Sequence, residues 1–201
     1  MKRVGILGGT FNPPHLGHLH AAKTVREALN LDEVWLMPTQ TPPHKSMPAG
    51  SPDAASRLEM VKLAAAGEEG LAASELELTL PPPSYTANTV RVLAQRYPDT
   101  QFWWIVGADM LLTLEKWYHP EIIFAHCRIA ALARENEQSQ AIREHAGSLR
   151  KTYGAGIDLV ESVPYPMSST QVREILAANA RPEGIPAAVY DYILEKGLYR
   201  A

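Results

Sequence analysis

Short apolar runs alternate with helix-period segments along almost the whole chain, and few folds accept that rhythm. A strand that is apolar on both faces has to be covered on both, so repeated strand-helix units close on a mostly parallel sheet with helices packed on either side. The pattern predicts strands over 3–7, 34–37, 76–80, 102–106, 128–133 and 157–160. Helices are expected over 18–29, 52–66, 86–96, 109–114, 119–125, 137–152, 169–178 and 186–196. In the first of these, Ala21, Ala22, Val25, Ala28 and Leu29 make one apolar stripe. Ser51-Pro52 reads as a helix start, a hydroxyl cap with proline in the first turn. Leu76, Leu78 and Leu80 alternate with Glu75, Glu77 and Thr79 as in a strand with one wet face. Phe102-Trp103-Trp104-Ile105-Val106 is so continuously apolar that it belongs at the centre of the sheet, with both tryptophans in the core.

No stretch approaches the roughly 18 apolar residues of a membrane span, and 201 residues are enough for one substantial core, so residues 1–201 are expected to form a single domain. Met1-Lys2-Arg3 runs straight into the first strand without the apolar region and cleavage site of an export signal. A single cysteine excludes an intrachain disulfide framework. The expected location is therefore cytoplasmic. A formal net charge of -3 argues against broad, nucleic-acid-like polyanion binding, which scales with the phosphates neutralised. Small anions need only a local gathering of cations, and His15, His18, His20, His44 and Lys45 all fall in the first 45 residues. The reading leaves room for a homo-oligomer.

The local chemistry concentrates at Gly8-Gly9-Thr10-Phe11-Asn12-Pro13-Pro14-His15-Leu16-Gly17-His18, where the first strand hands over to the first helix. Helix N-termini leave main-chain amides free and favour negative charge, and glycines let a ligand approach the backbone. Two imidazoles added there suit a nucleotide triphosphate, donating hydrogen bonds to an alpha-phosphate in transfer and to the departing pyrophosphate. The bland alternatives are two surface histidines or half a zinc site. Zinc is disfavoured because Cys127 is far along the chain and no carboxylate stands at ligand spacing.

Other candidates also follow strands, where open parallel sheets bind ligands. Met167-Ser168-Ser169-Thr170-Gln171-Val172-Arg173 places hydroxyls at a helix start and an arginine one turn on, able to hold phosphate oxygens, or to be simple capping. Gly107 and Asp109 end the central strand, where Gly107 could admit a ring or sugar and Asp109 accept from a hydroxyl. Tyr85-Thr86 and Trp117-Tyr118 are candidate walls for a flat ring. His44-Lys45 lies in a proline-stiffened loop able to reach phosphates. Cys127, Glu75, Glu77, Glu135 and Glu137 read as structural or exposed.

The His15-Leu16-Gly17-His18 and Ser168-Ser169-Thr170-Gln171-Val172-Arg173 segments, in that order, resemble the paired signatures of the His-x-Gly-His nucleotidyltransferase superfamily. Pro42-Pro43-His44-Lys45, Pro83-Ser84-Tyr85-Thr86, Gly107-Ala108-Asp109, Trp117-Tyr118 and Gly197-Leu198-Tyr199-Arg200 resemble its nicotinate-nucleotide adenylyltransferase family in particular. The resemblance implies a Rossmann-like fold and transfer of AMP from ATP to nicotinate mononucleotide, giving deamido-NAD and pyrophosphate in NAD biosynthesis. Magnesium would accompany ATP, held by its phosphates rather than by a protein metal site. It further implies that Gly8, Gly9, Thr10 and Phe11 border the adenylyl group and that His15 and His18 meet the triphosphate. Ser168, Ser169, Thr170 and Arg173 would close over phosphates and adenine, with Gly107 and Asp109 at the adenosine. Asn12, His44, Lys45, Tyr85, Thr86, Trp117 and Tyr118 would serve the mononucleotide; His15, His18 and Arg173 would be catalytic.

Asn12, Met167 and Lys45 depart from the aspartate, isoleucine and arginine common in the family; Lys45 exchanges a bidentate contact for a point charge. Nicotinamide mononucleotide or phosphopantetheine as acceptor, and a non-catalytic nucleotide sensor, remain rivals. An NAD-dependent oxidoreductase is a weaker one, because Gly-x-Gly-x-x-Gly is missing after the first strand and Pro38 stands where an acidic residue would end the second.

Overall fold

The computed structural model describes residues 1–43, 46–133 and 139–200. One sheet contains β1 (Lys2–Gly9), β2 (Glu33–Pro38), β3 (Leu71–Ala73), β4 (Thr100–Gly107), β5 (Arg128–Ala133) and β6 (Ile157–Glu161). The order is β3-β2-β1-β4-β5-β6, and every neighbouring pair is parallel. The expected mostly parallel sheet is thus wholly parallel. The helices are α1 (Leu16–Ala28), α2 (Ala54–Ala65), α3 (Thr86–Arg96), α4 (Ala108–Leu111), α5 (Pro120–His126), α6 (Ser139–Tyr153), α7 (Ser169–Ala177) and α8 (Ala187–Lys196). No helix among the described residues is long and apolar enough to cross a membrane.

Alternation along the central strands feeds two cores. Val4 and Ile6 of β1 and Phe102, Trp104 and Val106 of β4 pack with α3, α5 and α6 on one face. Trp103 and Ile105 face the other side, against Leu19, Ala22 and Val25 of α1, Met60 and Val61 of α2, Val172 of α7 and Val189 of α8. This is the doubly wound arrangement, in which the strand order runs outward from β1 in one direction and from β4 in the other. The crevice beyond the carboxyl ends of β1 and β4 is where such a sheet binds its ligands.

Two local expectations are corrected. The Leu76, Leu78, Leu80 alternation does not make a strand: the third strand is Leu71–Ala73, and Leu76–Thr79 is a single 3-10 turn. Pairing stops when the Ser74 amide bonds the Leu36 carbonyl, and the Thr79 hydroxyl closes the turn onto the Leu76 carbonyl. The second helix starts at Ala54 with Asp53 as its cap, the Asp53 carboxylate accepting from the Ser56 amide at 2.7 Å. Ser51 is occupied elsewhere, donating to the Pro48 carbonyl and accepting from Asn12.

Candidate active site

Two cavities open at the β1/β4 switch point, one on each side of the strand ends. The first, of about 510 Å³, is walled by His15, Gly17 and His18 of the α1 start, by Gly107, Ala108 and Asp109, and by Tyr165 and Met167. The second, of about 270 Å³, is walled by Gly8, Gly9 and Thr10, by Tyr85 and Thr86, by Trp104, and by Trp117 and Tyr118. Of the residues read from sequence, His15, His18, Gly107 and Asp109 line the first chamber and Tyr85, Thr86, Trp117 and Tyr118 the second; Gly8, Gly9 and Thr10, expected with the histidines at ATP, line the second chamber instead, and Phe11 lines neither.

His15 is the N-cap of α1, and it caps with its ring. Its Nδ1 accepts from the Gly17 amide at 3.1 Å, while the His18 Nδ1 accepts from the His15 amide at 3.2 Å. Both Nδ1 atoms are acceptors, so in each neutral ring the proton sits on Nε2, leaving an N–H donor for a ligand. Burial pushes His15 down to about 4. Burial, with the neighbouring His15 adding to it, pushes His18 down to about 3. The rings lie 3.8 Å apart between centroids, and His18 also leans on Phe11 at 4.8 Å. At neutral pH the pair is uncharged, a set of fixed dipoles rather than a pair of cations. Gly17 is demanded by this packing: a Cβ there would stand 2.8 Å from the His15 Nδ1.

Phe11 is 1% exposed with φ 45, a left-handed backbone that turns the chain from β1 toward α1. The N-terminus of α7 is fastened to this turn. Ser169 donates to the Pro13 carbonyl at 2.9 Å, and Arg173 donates to the Asn12 carbonyl at 2.7 Å and to the Thr170 hydroxyl at 3.1 Å. Ser168 caps α7 by accepting from the Gln171 amide. Two helix N-termini, those of α1 and α7, thus adjoin one another, and their dipoles both favour an anion between them.

Asn12 is placed differently from the mononucleotide role implied for it. It is 2% exposed, its carboxamide donates to Ser51 at 2.7 Å and accepts from the Tyr199 hydroxyl at 2.7 Å, and it lines neither cavity. It braces the turn instead. Ser168, Ser169, Thr170 and Arg173 line neither cavity; of that segment only the preceding Met167 borders the histidine cleft. In the aromatic cavity Tyr85 and Tyr118 stack with centroids 4.3 Å apart. Trp104 belongs to both core and cavity wall: it is 5% exposed yet borders the chamber. His44, Lys45, Glu135 and Glu137 lie outside the described residues.

Arg57 escaped the sequence reading, and His20 and Glu77 were named there without the contacts the fold gives them. Arg57 is 2% exposed and donates to the Thr10 carbonyl at 2.7 Å and to the Gln40 carbonyl at 3.3 Å, pinning the loop that borders the aromatic cavity. Its signal was available, an arginine on the same helical face as Met60, Val61 and Ala64. His20 bonds the Val163 carbonyl at 2.9 Å and ties α1 to the segment ahead of α7. Glu77, read as structural or exposed, is 3% exposed and borders the aromatic cavity, whereas Glu75 is exposed.

A family model described as cytidylyltransferase-like matches residues 6–175. An Aeromonas salmonicida protein named "Probable nicotinate-nucleotide adenylyltransferase" is 38% identical, covering 98% of this chain and 97% of its own. A Synechococcus protein of the same name is 40% identical over 98% of this chain and 95% of its own. The fold matches that of Plasmodium falciparum nicotinic acid mononucleotide adenylyltransferase complexed with NaAD, with TM-score 0.75 at 16% identity, covering 99% and 98% of the two chains. The family match and these full-length relatives place the chain in the cytidylyltransferase-like family, and within it the chain belongs to the nicotinate-nucleotide adenylyltransferases.

Proposed function

We propose that this chain transfers the adenylyl group of ATP to nicotinate mononucleotide, releasing pyrophosphate and forming deamido-NAD. The observation that carries the reading is the pair of adjoining chambers at one strand end, one lined by two Nε2–H donors on a helix N-terminus and one by stacked aromatic rings. ATP would lie in the histidine cleft, its adenosine toward Gly107 and Asp109 and its phosphates between the starts of α1 and α7. The pyridine ring would enter the aromatic cavity against Tyr85, Trp117 and Tyr118, its carboxylate toward the N-terminus of α3 at Thr86. The two phosphates would then meet beside Gly8, Gly9 and Thr10, which border the aromatic chamber.

An oxygen of the acceptor's phosphate attacks the alpha-phosphorus of ATP, that P–O bond forms as the bond to the beta-phosphate breaks, and pyrophosphate leaves with the electron pair. A phosphate monoester has a second pKa near 6, so at neutral pH the nucleophile is already largely a dianion and needs no general base. The chain's contribution is alignment and charge dispersal. His15 and His18 donate through Nε2, and because they are neutral they can do so without a bound counter-anion. Arg173 holds the Asn12 carbonyl, and with it the geometry of the turn. Magnesium, held by the phosphates of ATP, would supply further neutralisation of the leaving group.

Pyrophosphate release should be followed with ATP and, in parallel, nicotinate mononucleotide, nicotinamide mononucleotide and phosphopantetheine. The proposal expects kcat/KM for the nicotinate acceptor to exceed the others by tenfold or more. Preference for either rival acceptor would reassign the substrate, and absence of turnover with all three would leave a nucleotide-binding protein without this reaction.

A further inference from the structure

Glu77 stands apart from the other side chains around the aromatic cavity. It sits in the 3-10 turn Leu76–Thr79, is 3% exposed, and borders the chamber. Its Oε1 accepts from the Thr89 hydroxyl at 2.8 Å, while Oε2 is buried with no partner. Thr89 is itself 1% exposed and lies one turn into α3, the helix whose start carries Tyr85 and Thr86 into the same chamber. A carboxylate in such a place would be a buried charge with one oxygen unpaired, whereas the neutral acid leaves only a polar group to satisfy. The adenylyl transfer described above makes no use of this group.

We propose that Glu77 is a positioning and specificity-determining residue that serves as the neutral acid, holding the start of α3 through Thr89 and leaving the aromatic cavity free of negative charge so that it accepts the acceptor's ring carboxylate. The proposal rests on the reading of the aromatic cavity as the nicotinate site. Ionised, Glu77 would set a second anion beside the substrate's own, in surroundings that screen it poorly.

The neighbourhood supports the neutral form. Burial pushes the Glu77 carboxyl up to about 7, with the Thr89 hydrogen bond working in the opposite direction. Within the chamber the titratable neighbours among the described residues are Tyr85 and Tyr118. Glu75, just before the turn, lines a separate cleft with Lys62 of α2 and Arg96 and Tyr97 at the end of α3. Glu33, at the start of the packed strand β2, is engaged by Lys2 and by the Trp35 indole. None of these places a compensating cation on Glu77.

The test is the KM for nicotinate mononucleotide between pH 6.5 and 8.5 at saturating magnesium-ATP, in the intact chain and in Glu77→Gln, whose amide imitates the neutral acid. With a carboxyl titrating at about 7, the neutral fraction falls from about three quarters to about 3% across that range, so KM rises about 20-fold while kcat moves by less than about threefold. In Glu77→Gln the ratio of the two KM values should fall to near one. The acceptor's phosphate titrates identically in both proteins, so the difference belongs to residue 77. A second variant, Thr89→Val, removes the hydroxyl that favours the ionised form and should move the rise to higher pH. Parallel profiles in the intact chain and Glu77→Gln would overturn the proposal, as would a flat profile in the intact chain. Should Glu77→Gln fail to fold, an unmoved midpoint in Thr89→Val would overturn it. Lack of turnover with this acceptor at every pH would instead sink the proposed function.

Discussion

Gly17→Ala tests the histidine pair in a way that separates catalysis from stability. The added Cβ would stand 2.8 Å from His15 Nδ1 and 2.9 Å from Cε1, against an ordinary contact of 3.4–4 Å. The His15 ring must therefore retreat by at least about 0.6 Å, the difference between 3.4 and 2.8 Å, and the 3.1 Å bond from the Gly17 amide to Nδ1 stretches or breaks. Losing that cap costs about 0.5–2 kcal/mol, but alanine in place of glycine inside a helix returns up to about 1 kcal/mol. Net stability should change by less than about 1 kcal/mol, which for a chain of this size is about 2–4 °C in Tm. Activity has no such compensation. A catalytic donor displaced by about 1 Å costs about 100-fold in rate, so kcat should fall 30- to 100-fold while Tm hardly moves. The measurements are steady-state pyrophosphate release and a calorimetric melt on the same preparation. A kcat within threefold of the parent, with the His15 cap still intact, would refute the argument that Gly17 is there to seat the His15 ring.

His18→Ala should lower kcat by about 100-fold or more with KM for ATP changed by less than about threefold, as for a donor whose bond strengthens in the transition state; single-turnover kinetics would check it. Tyr199→Phe removes the hydroxyl that bonds the buried Asn12 carboxamide at 2.7 Å, leaving its oxygen unpaired, so stability should fall by about 2 kcal/mol and Tm by about 4–8 °C in a thermal melt. Acid should destabilise the fold through the histidine pair: folded His15 and His18 titrate at about 4 and about 3 against an ordinary 6.5, so below 6.5 the unfolded chain takes up protons first. The stability present above 6.5 is then lost as pH falls, at up to about 1.4 kcal/mol per pH unit per histidine, and urea unfolding at pH 7, 6 and 5 should show a shallower decline in His18→Ala.

Much of the architecture was legible because its signals are local. Phe102–Val106 is apolar at every position, which is tolerable only in a strand covered on both faces, and β4 is indeed one of the two central strands. Leu76, Leu78 and Leu80 show where such reasoning stops. Alternation is a property of side chains, and whether it becomes a strand depends on a neighbour with free ladder groups; β2 finishes its pairing at Ala73, so the segment curls into a turn. Ser51 is similar, since a capping hydroxyl serves a helix only when no other partner claims it, and here Pro48 and Asn12 do.

What the linear order of residues decided by itself was the rhythm of strand and helix, the strand-to-helix turn at Gly8–His18, and the helix start at Ser168. These rest on interactions between residues a few positions apart, which any chain with that local order will make. The burial that keeps the two imidazoles uncharged, the clasp from Arg173 and Tyr199 onto Asn12, and the burial of Arg57 and Glu77 came only with the folded chain. They join residues separated by as many as 187 positions, and a side chain's burial, tautomer and charge are set by whatever the fold brings against it.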